Sequence, residues 1–171
     1  TDEITITVAN INDAPTVANA LIDQALISGR EGSYAIAANS YNDIDVGDTA
    51  NLTYTATSGG AAIPLWLVIN STTGAFTANP TASDAGTISI TVTATDTSAA
   101  AVTDTFDIVV TENQAPAVAT LGDQTATEDT AVSFSLTDDK FTDGNSDTMT
   151  VTVSGEPTWL TFDANTKTFS G

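Results

Sequence analysis

The sequence predicts an all-β fold built of tandem antiparallel β-sandwiches, and three observations predict it. Apolar and polar residues alternate at period two along the apolar segments, and no segment holds a helical period over three turns. The chain also repeats itself at a spacing of roughly 100 residues, the length of one sandwich.

The strands follow in chain order. "EITITV" places Ile4, Ile6 and Val8 on one face, and "SYAIAA" does the same with Tyr34, Ile36 and Ala38. "NLTYTAT" aligns Leu52, Tyr54 and Ala56. "TISITVTATD" aligns Ile88, Ile90, Val92 and Ala94, and "TFDIVV" aligns Phe106, Ile108 and Val110. One apolar face per strand is the pattern of half-buried antiparallel sheets, with the core on one side and water on the other.

Repetition sets the domain plan. "NDAPTV" at 12–17 recurs as "NQAPAV" at 113–118, and "DQALISGREGSYAIAA" is echoed by "DQTATEDTAVSFSL". "YNDIDVGDTANLTYT" is echoed by "FTDGNSDTMTVTV". "WLVINSTTGAFTA" (66–78) matches "WLTFDANTKTFSG" (159–171) position for position, Trp66 over Trp159 and Phe76 over Phe169. "TDEITITVANINDAP" resembles "TDTFDIVVTENQAP". Residues 1–11 therefore read as the last strand of a preceding repeat, 12–112 as a complete repeat, and 113–171 as the first part of a following one. That third piece has no counterpart of "TISITVTATD" or "TDTFDIVVTE". Half a sandwich leaves its apolar faces uncovered, so it is expected to fold poorly alone. A neighbouring molecule donating strands is the alternative, but a segment such as 1–11 fills only one of two gaps, which favours plain truncation.

Composition narrows the chemistry. Twenty-two acids stand against three bases, Arg30, Lys140 and Lys167, for a net charge of −19. Such a chain repels phosphate backbones and anionic lipid, which excludes nucleic acid as a partner and favours hard divalent cations. Histidine and cysteine are absent. Ser-His-Asp and Cys-His nucleophiles, thiolate zinc, histidine-ligated metals and disulfides are thereby excluded. No stretch approaches the roughly 20 apolar residues of a membrane span, and the start, which is not Met, has no signal-peptide pattern. The chain reads as an internal piece of a longer protein.

Several segments carry a resemblance. "DIDVGDTANLTYT" resembles the DxDxGxN-and-tyrosine segment of cadherin repeats, and "ASDAGTISITVTATD" their acidic turn, strand and Ala-x-Asp ending. "NDAP" and "NQAP" resemble the Asn/Asp-rich linker before the next repeat's proline, and "REGS" supplies a glutamate ahead of the second strand. The paired "WLVINSTTGAF" and "WLTFDANTKTF" look more like the bacterial dystroglycan-type cadherin-like, or putative-Ig, repeats. The resemblance spans essentially the whole chain and implies Ig/cadherin-like, seven-stranded Greek-key sandwiches with calcium between them.

In a seven-stranded sandwich successive loops alternate between the two ends. That places Asp43, Asp45 and Asp48 with Asp96 and with Asn12 and Asp13 of the linker. Glu31 and Asp84 fall at the opposite end with Glu112, Asn113 and Gln114, where Asp143, Asn145 and Asp147 of the next repeat arrive. The resemblance then implies two calcium sites. One uses Glu31, Asp84, Glu112, Asn113, Asp143 and Asn145, with Asp147 and the Gln114 backbone carbonyl as further candidates. The other holds Asn12, Asp13, Asp43, Asp45 and Asp96. Two departures from the pattern, Glu-Asn-Gln in the second linker and Asn145 in place of an aspartate, lower the ligand charge and imply weaker binding there.

Other readings compete. Acidic turns are commonly solvated, and Asp48, Asp104, Asp123 and Asp163 are read that way. An EF-hand fails, because the twelfth loop position holds Tyr54 or Ser154 where a glutamate is needed. Glycosidic chemistry needs two acids flanking a groove, which loops at a sandwich tip do not provide. Trp66 and Trp159 read as core packing rather than sugar stacking. "NLT" at 51 and "NST" at 70 match glycosylation sequons of a kind that recurs by chance in Thr-rich chains. The expectation is a non-enzymatic, calcium-rigidified spacer or adhesion segment of a large secreted or surface-anchored bacterial adhesin-type protein. Its partners are calcium, neighbouring repeats and a cell-surface glycan or protein. The alternative is a carbohydrate- or self-binding module, including one ancillary to a carbohydrate-active enzyme, and it requires Trp66 or Tyr41 to face solvent.

Overall fold

The structure, a computed structural model, describes residues 2–7, 9 and 11–171, and the chain forms two units, Thr1–Glu112 and Asn113–Gly171. In the first, the strands are β1 (Thr16–Val17), β2 (Gln24–Ile27), β3 (Gly32–Ala35), β4 (Tyr41–Asn42) and β5 (Thr53–Ser58). They continue with β6 (Ala61–Ala62), β7 (Leu67–Ile69), β8 (Ala75–Ala78), β9 (Gly86–Thr95) and β10 (Ala101–Thr111). One-turn 3-10 helices, Thr49–Asn51 and Ala82–Asp84, interrupt the loops.

Two sheets face each other. The larger has the order β2-β10-β9-β5-β6 and the smaller β3-β8-β7, with β1 and β4 forming a short ribbon. Long β-branched runs build β9 and β10, which pair antiparallel from Ala101 opposite Thr95 to Val110 opposite Gly86. This register sets Phe106 across from Ile90 and Ile108 across from Ile88. Because the side-chain period is two, one face of the pair is apolar where it meets the other sheet, Asp104 opposite Val92 excepted. Ile90, Val92 and Ala94 are fully buried, and Phe106, Ile108 and Val110 nearly so. The opposite sheet supplies Leu67, Phe76 and Ala78. Phe106 lies 5.4 Å from Tyr34 and 5.8 Å, edge-on, from Phe76, so an aromatic trio locks the two layers together.

Differences from the sequence expectation are local. The seven expected strands resolve into ten hydrogen-bonded segments, three of them two residues long (β1, β4 and β6). β2 runs parallel to β10, with Gln24 opposite Ile108; alternation reports which face is buried but not the direction of the partner strand. Ala38 is exposed because β3 stops at Ala35 and the chain turns there. Ile4 and Ile6 are exposed and lie outside any strand, and Val8 falls outside the described residues. Asp104 is not in a turn but in β10, on the same face as Phe106. Its carboxylate stays satisfied there by accepting from the Leu21 N–H at 2.8 Å and the Thr105 N–H at 2.8 Å.

The second unit repeats part of this plan. It contains β11 (Ala117–Val118), β12 (Ser133–Ser135), β13 (Phe141–Thr142), β14 (Thr161–Asp163) and β15 (Thr168–Ser170). β11 pairs with β13 as β1 does with β4, and β12-β15-β14 repeats β3-β8-β7. Phe169 stacks on Phe134 at 4.8 Å and meets Phe162 at 4.7 Å. Among the described residues nothing here corresponds to β9 and β10. The inner faces accordingly line an open cavity of about 950 Å³, with Phe134, Leu136, Phe141, Met149 and Val151 in its walls. The apolar residues that line it are left open to it.

Candidate metal centre

At one tip of the first unit, two loops and the residues ahead of β1 close on each other. The Asp43 N–H donates to Thr49 Oγ1 at 2.8 Å, and that hydroxyl donates back to the Asp43 carbonyl at 3.1 Å, pinning the loop. Asp43 Oδ1 accepts from the Asp45 N–H at 2.8 Å. Its other oxygen, Oδ2, is buried and has no hydrogen-bond partner, in a residue only 7% exposed. A buried carboxylate oxygen left without hydrogen bond or counter-charge is among the costliest arrangements a fold can hold.

The other acids arrive by turns. Asp96 follows β9 and is 6% exposed; its Oδ1 accepts the N–H groups of Ser98 and Ala100 at 2.8 and 2.9 Å. Asp96 Oδ2 accepts from Asn12 Nδ2 at 2.9 Å. Asp48 Oδ1 accepts from Thr97 Oγ1 at 2.9 Å. Carboxylate oxygens of Asp43, Asp48 and Asp96, one from each, lie within 4.8 Å of one another, the one such acidic group among the described residues. The first unit contains a single base, Arg30. Three like charges at this spacing repel one another, and among the described residues no base stands beside them to offset it.

A divalent cation fits this donor set. All the donors are hard oxygens, the class that calcium and magnesium take, with no soft sulfur or imidazole ligand. Two oxygens on one calcium ion, at about 2.3–2.6 Å each, are at most about 5 Å apart. The linker is tied to the same loops: the Asp13 N–H donates to Asp45 Oδ2 at 2.8 Å, and Asn12 Nδ2 donates to Asp96 Oδ2 at 2.9 Å and to the Asp13 carbonyl at 3.0 Å.

The sequence-predicted residues divide accordingly. Asn12, Asp13, Asp43, Asp45 and Asp96 come together, with Asp45 holding the linker rather than joining the triad. Asp48, read from sequence as a solvated turn, belongs to the triad. Gly47, with a left-handed φ of +94°, turns the chain so that Asp48 N–H closes on the Asp45 carbonyl at 3.2 Å. Elsewhere in the first unit, Glu31 and Glu112 are exposed. Asp84 is engaged in a capping box, accepting the Thr81 N–H at 2.8 Å and the Thr81 hydroxyl at 2.6 Å.

The second unit rebuilds the same frame. Asp143 Oδ1 accepts the N–H groups of Asn145 at 2.9 Å and Asp147 at 3.0 Å, and Asn145 Oδ1 accepts the Gln114 N–H at 2.6 Å. Asp143 Oδ2 is buried without a partner, as Asp43 Oδ2 is. Asn113 is exposed on the linker beside Gln114. No third carboxylate converges there among the described residues.

Hydrogen bonds hold the Asp96 carboxyl below the usual carboxylate range, Asn12 contributing most and the N–H groups of residues 98–100 the rest. A lowered folded-state value favours the ionised form, so this stabilisation is complete above about pH 4 and is lost as pH falls below that. Asn12→Ala removes the principal donor. In chelator, the difference in melting temperature between wild type and Asn12→Ala is expected to be largest at neutral pH and to shrink toward pH 2.

The model of the family described as Putative Ig domain matches residues 14–111 and again 115–171. The chain belongs to that family. No curated protein matches it. Among solved structures these Ig-family repeats resemble protocadherin gammaB7 EC3-6, at 21% identity and a TM-score of 0.52, over 67% of this chain and 30% of that one. PcdhgB3 EC1-4 matches at 17% identity and a TM-score of 0.51, over 75% and 29%. The endo-fucoidan hydrolase MfFcnA4 of glycoside hydrolase family 107 matches at 22% and 0.48, over 92% and 24%. The chain thus spans less than a third of each of these proteins, and the first two likenesses establish a shared Ig/cadherin-like sandwich fold.

Proposed function

We propose that this chain is a segment of calcium-binding spacer repeats in a large secreted or surface-anchored adhesion protein of bacterial type, without catalytic activity. The observation that carries the reading is the buried, unpartnered Asp43 Oδ2 set within 4.8 Å of carboxylate oxygens of Asp48 and Asp96. Calcium supplies the positive charge that this tip lacks and ties the loops after β4 and β9 to the linker through Asn12 and Asp13. The same orphaned oxygen on Asp143 supports a second, weaker position, since Asn145 stands where Asp45 does and brings no charge. An extracellular setting suits such a protein, because calcium is abundant there. No helix among the described residues is long and apolar enough to cross a membrane.

Aromatic placement favours a spacer over a carbohydrate- or self-binding module. Tyr41 is 2% exposed, and burial, aided by nearby Asp104, pushes its hydroxyl pKa well up. Trp66 is part-buried against the core. Neither ring in the complete repeat offers an open platform, although Trp159 in the second unit is 56% exposed.

Calorimetric titration of calcium into chelator-treated protein tests the reading. Binding heat is expected for wild type and is expected to fall sharply in Asp43→Asn, which keeps the Oδ1 acceptor for Asp45 N–H but replaces the orphaned oxygen with an amide. Absence of binding in wild type overturns the proposal.

A further inference from the structure

Asp143–Gly144 is the sole Asp-Gly pair in the chain, and there is no Asn-Gly. Gly144 is an exposed residue with no side chain to shield its amide nitrogen, which lies next in sequence to the Asp143 carboxyl group. In the first repeat the equivalent bond is Asp43–Ile44, where a β-branched side chain crowds the nitrogen and Asp43 is 7% exposed. The loop after Asp143 is also strained. Ser146 N–H closes on the Asp143 carbonyl at 3.2 Å, and Ser146 adopts a left-handed φ of +61° that L side chains rarely take.

We propose that Asp143–Gly144 is a site of spontaneous aspartate-to-isoaspartate conversion, selective for the second repeat. The Gly144 amide nitrogen attacks Cγ of Asp143 in its acid form. An N–Cγ bond forms, the carboxyl C–OH bond breaks, and the hydroxyl leaves with the amide proton as one water, closing a five-membered succinimide. Water then adds to either ring carbonyl and the C–N bond there opens. Opening at the Cα-side carbonyl leaves the main chain running through the former side-chain carboxyl. One water is released and one consumed, and nothing is oxidised or reduced. The product lengthens the backbone by one methylene and relocates the free carboxylate. The bonds from Asn145 N–H and Asp147 N–H to Asp143 Oδ1 are lost with it.

The fold does not require glycine at this position. Gly144 is not in the left-handed region, and a Cβ there meets the side chain of Gln114, chiefly the far end of that flexible chain. Gly144→Ala is therefore a folded control with a crowded nitrogen. The test is peptide mapping by mass spectrometry after prolonged incubation at neutral pH and body temperature. An isoaspartyl peptide of unchanged mass and shifted retention is expected to accumulate at 143, with no such product at Asp43 and loss of the product in Gly144→Ala. No isoaspartate at 143, an equal amount at Asp43, or undiminished product in Gly144→Ala overturns the proposal.

Discussion

Saturating calcium is expected to raise the melting temperature of the first repeat by roughly 10–20 °C over chelator. A ligand that binds only the folded state at 100 times its dissociation constant stabilises by about 2.7 kcal/mol, and each kcal/mol shifts a domain of this size by about 4–8 °C. The effect should be large because binding relieves an existing cost. Asp43 Oδ2 is already buried and unpaired, and the loops that hold it are already tied to Asn12 and Asp13. Asp43→Asn is expected to lose most of the shift while melting at or above wild type in chelator, since it removes one of three repelling charges. Magnesium should act more weakly, because it demands tighter octahedral geometry and gives up its water reluctantly. Scanning calorimetry of both proteins in calcium, magnesium and chelator checks all three expectations. An equal calcium shift in Asp43→Asn contradicts them.

Phe106→Ala is expected to cost about 3–5 kcal/mol, enough to unfold a marginal domain. Phe106 is 2% exposed and touches both layers, meeting Tyr34 at 5.4 Å and Phe76 at 5.8 Å. Its removal leaves a hole between sheets whose backbone is fixed by the ten-pair β9–β10 ladder and cannot collapse to fill it. Val109, outward-facing on the same strand and 41% exposed, is the control. Val109→Ala should stay within roughly 0.5 kcal/mol. Urea unfolding followed by tryptophan fluorescence in a Trp159→Phe background, which leaves Trp66 as the reporter, reads both, and similar midpoints for the two variants would show that the trio does not hold the layers together.

The buried faces were legible because period two translates directly into burial: Ile90, Val92 and Ala94, and then Phe106, Ile108 and Val110, needed no partner to be identified. Pairing direction was not legible, as the parallel β2–β10 ladder shows, because alternation is blind to which way a neighbour runs. The site was half legible. Loop alternation in a sandwich brought Asp43 and Asp96 together with Asn12 and Asp13 across more than 80 residues. Asp48 was missed because a turn residue's role depends on where Gly47 redirects the chain, a backbone angle that composition does not carry. Asp104 was missed for the opposite reason: an inward-facing aspartate is readable only once the Leu21 N–H that satisfies it is in place. Exposure along 2–7 follows from a different limit, since a strand's faces are buried only where a partner covers them.

The proposed calcium ion sits among the carboxylates around Asp43. A crystal structure grown in calcium tests it most directly, with anomalous scattering to identify the ion. An ion about 2.3–2.6 Å from Asp43 Oδ2, shared with Asp48 and Asp96, is the predicted result. A well-ordered tip in which Asp43 Oδ2 meets only water or another protein group, with calcium in excess, contradicts the account.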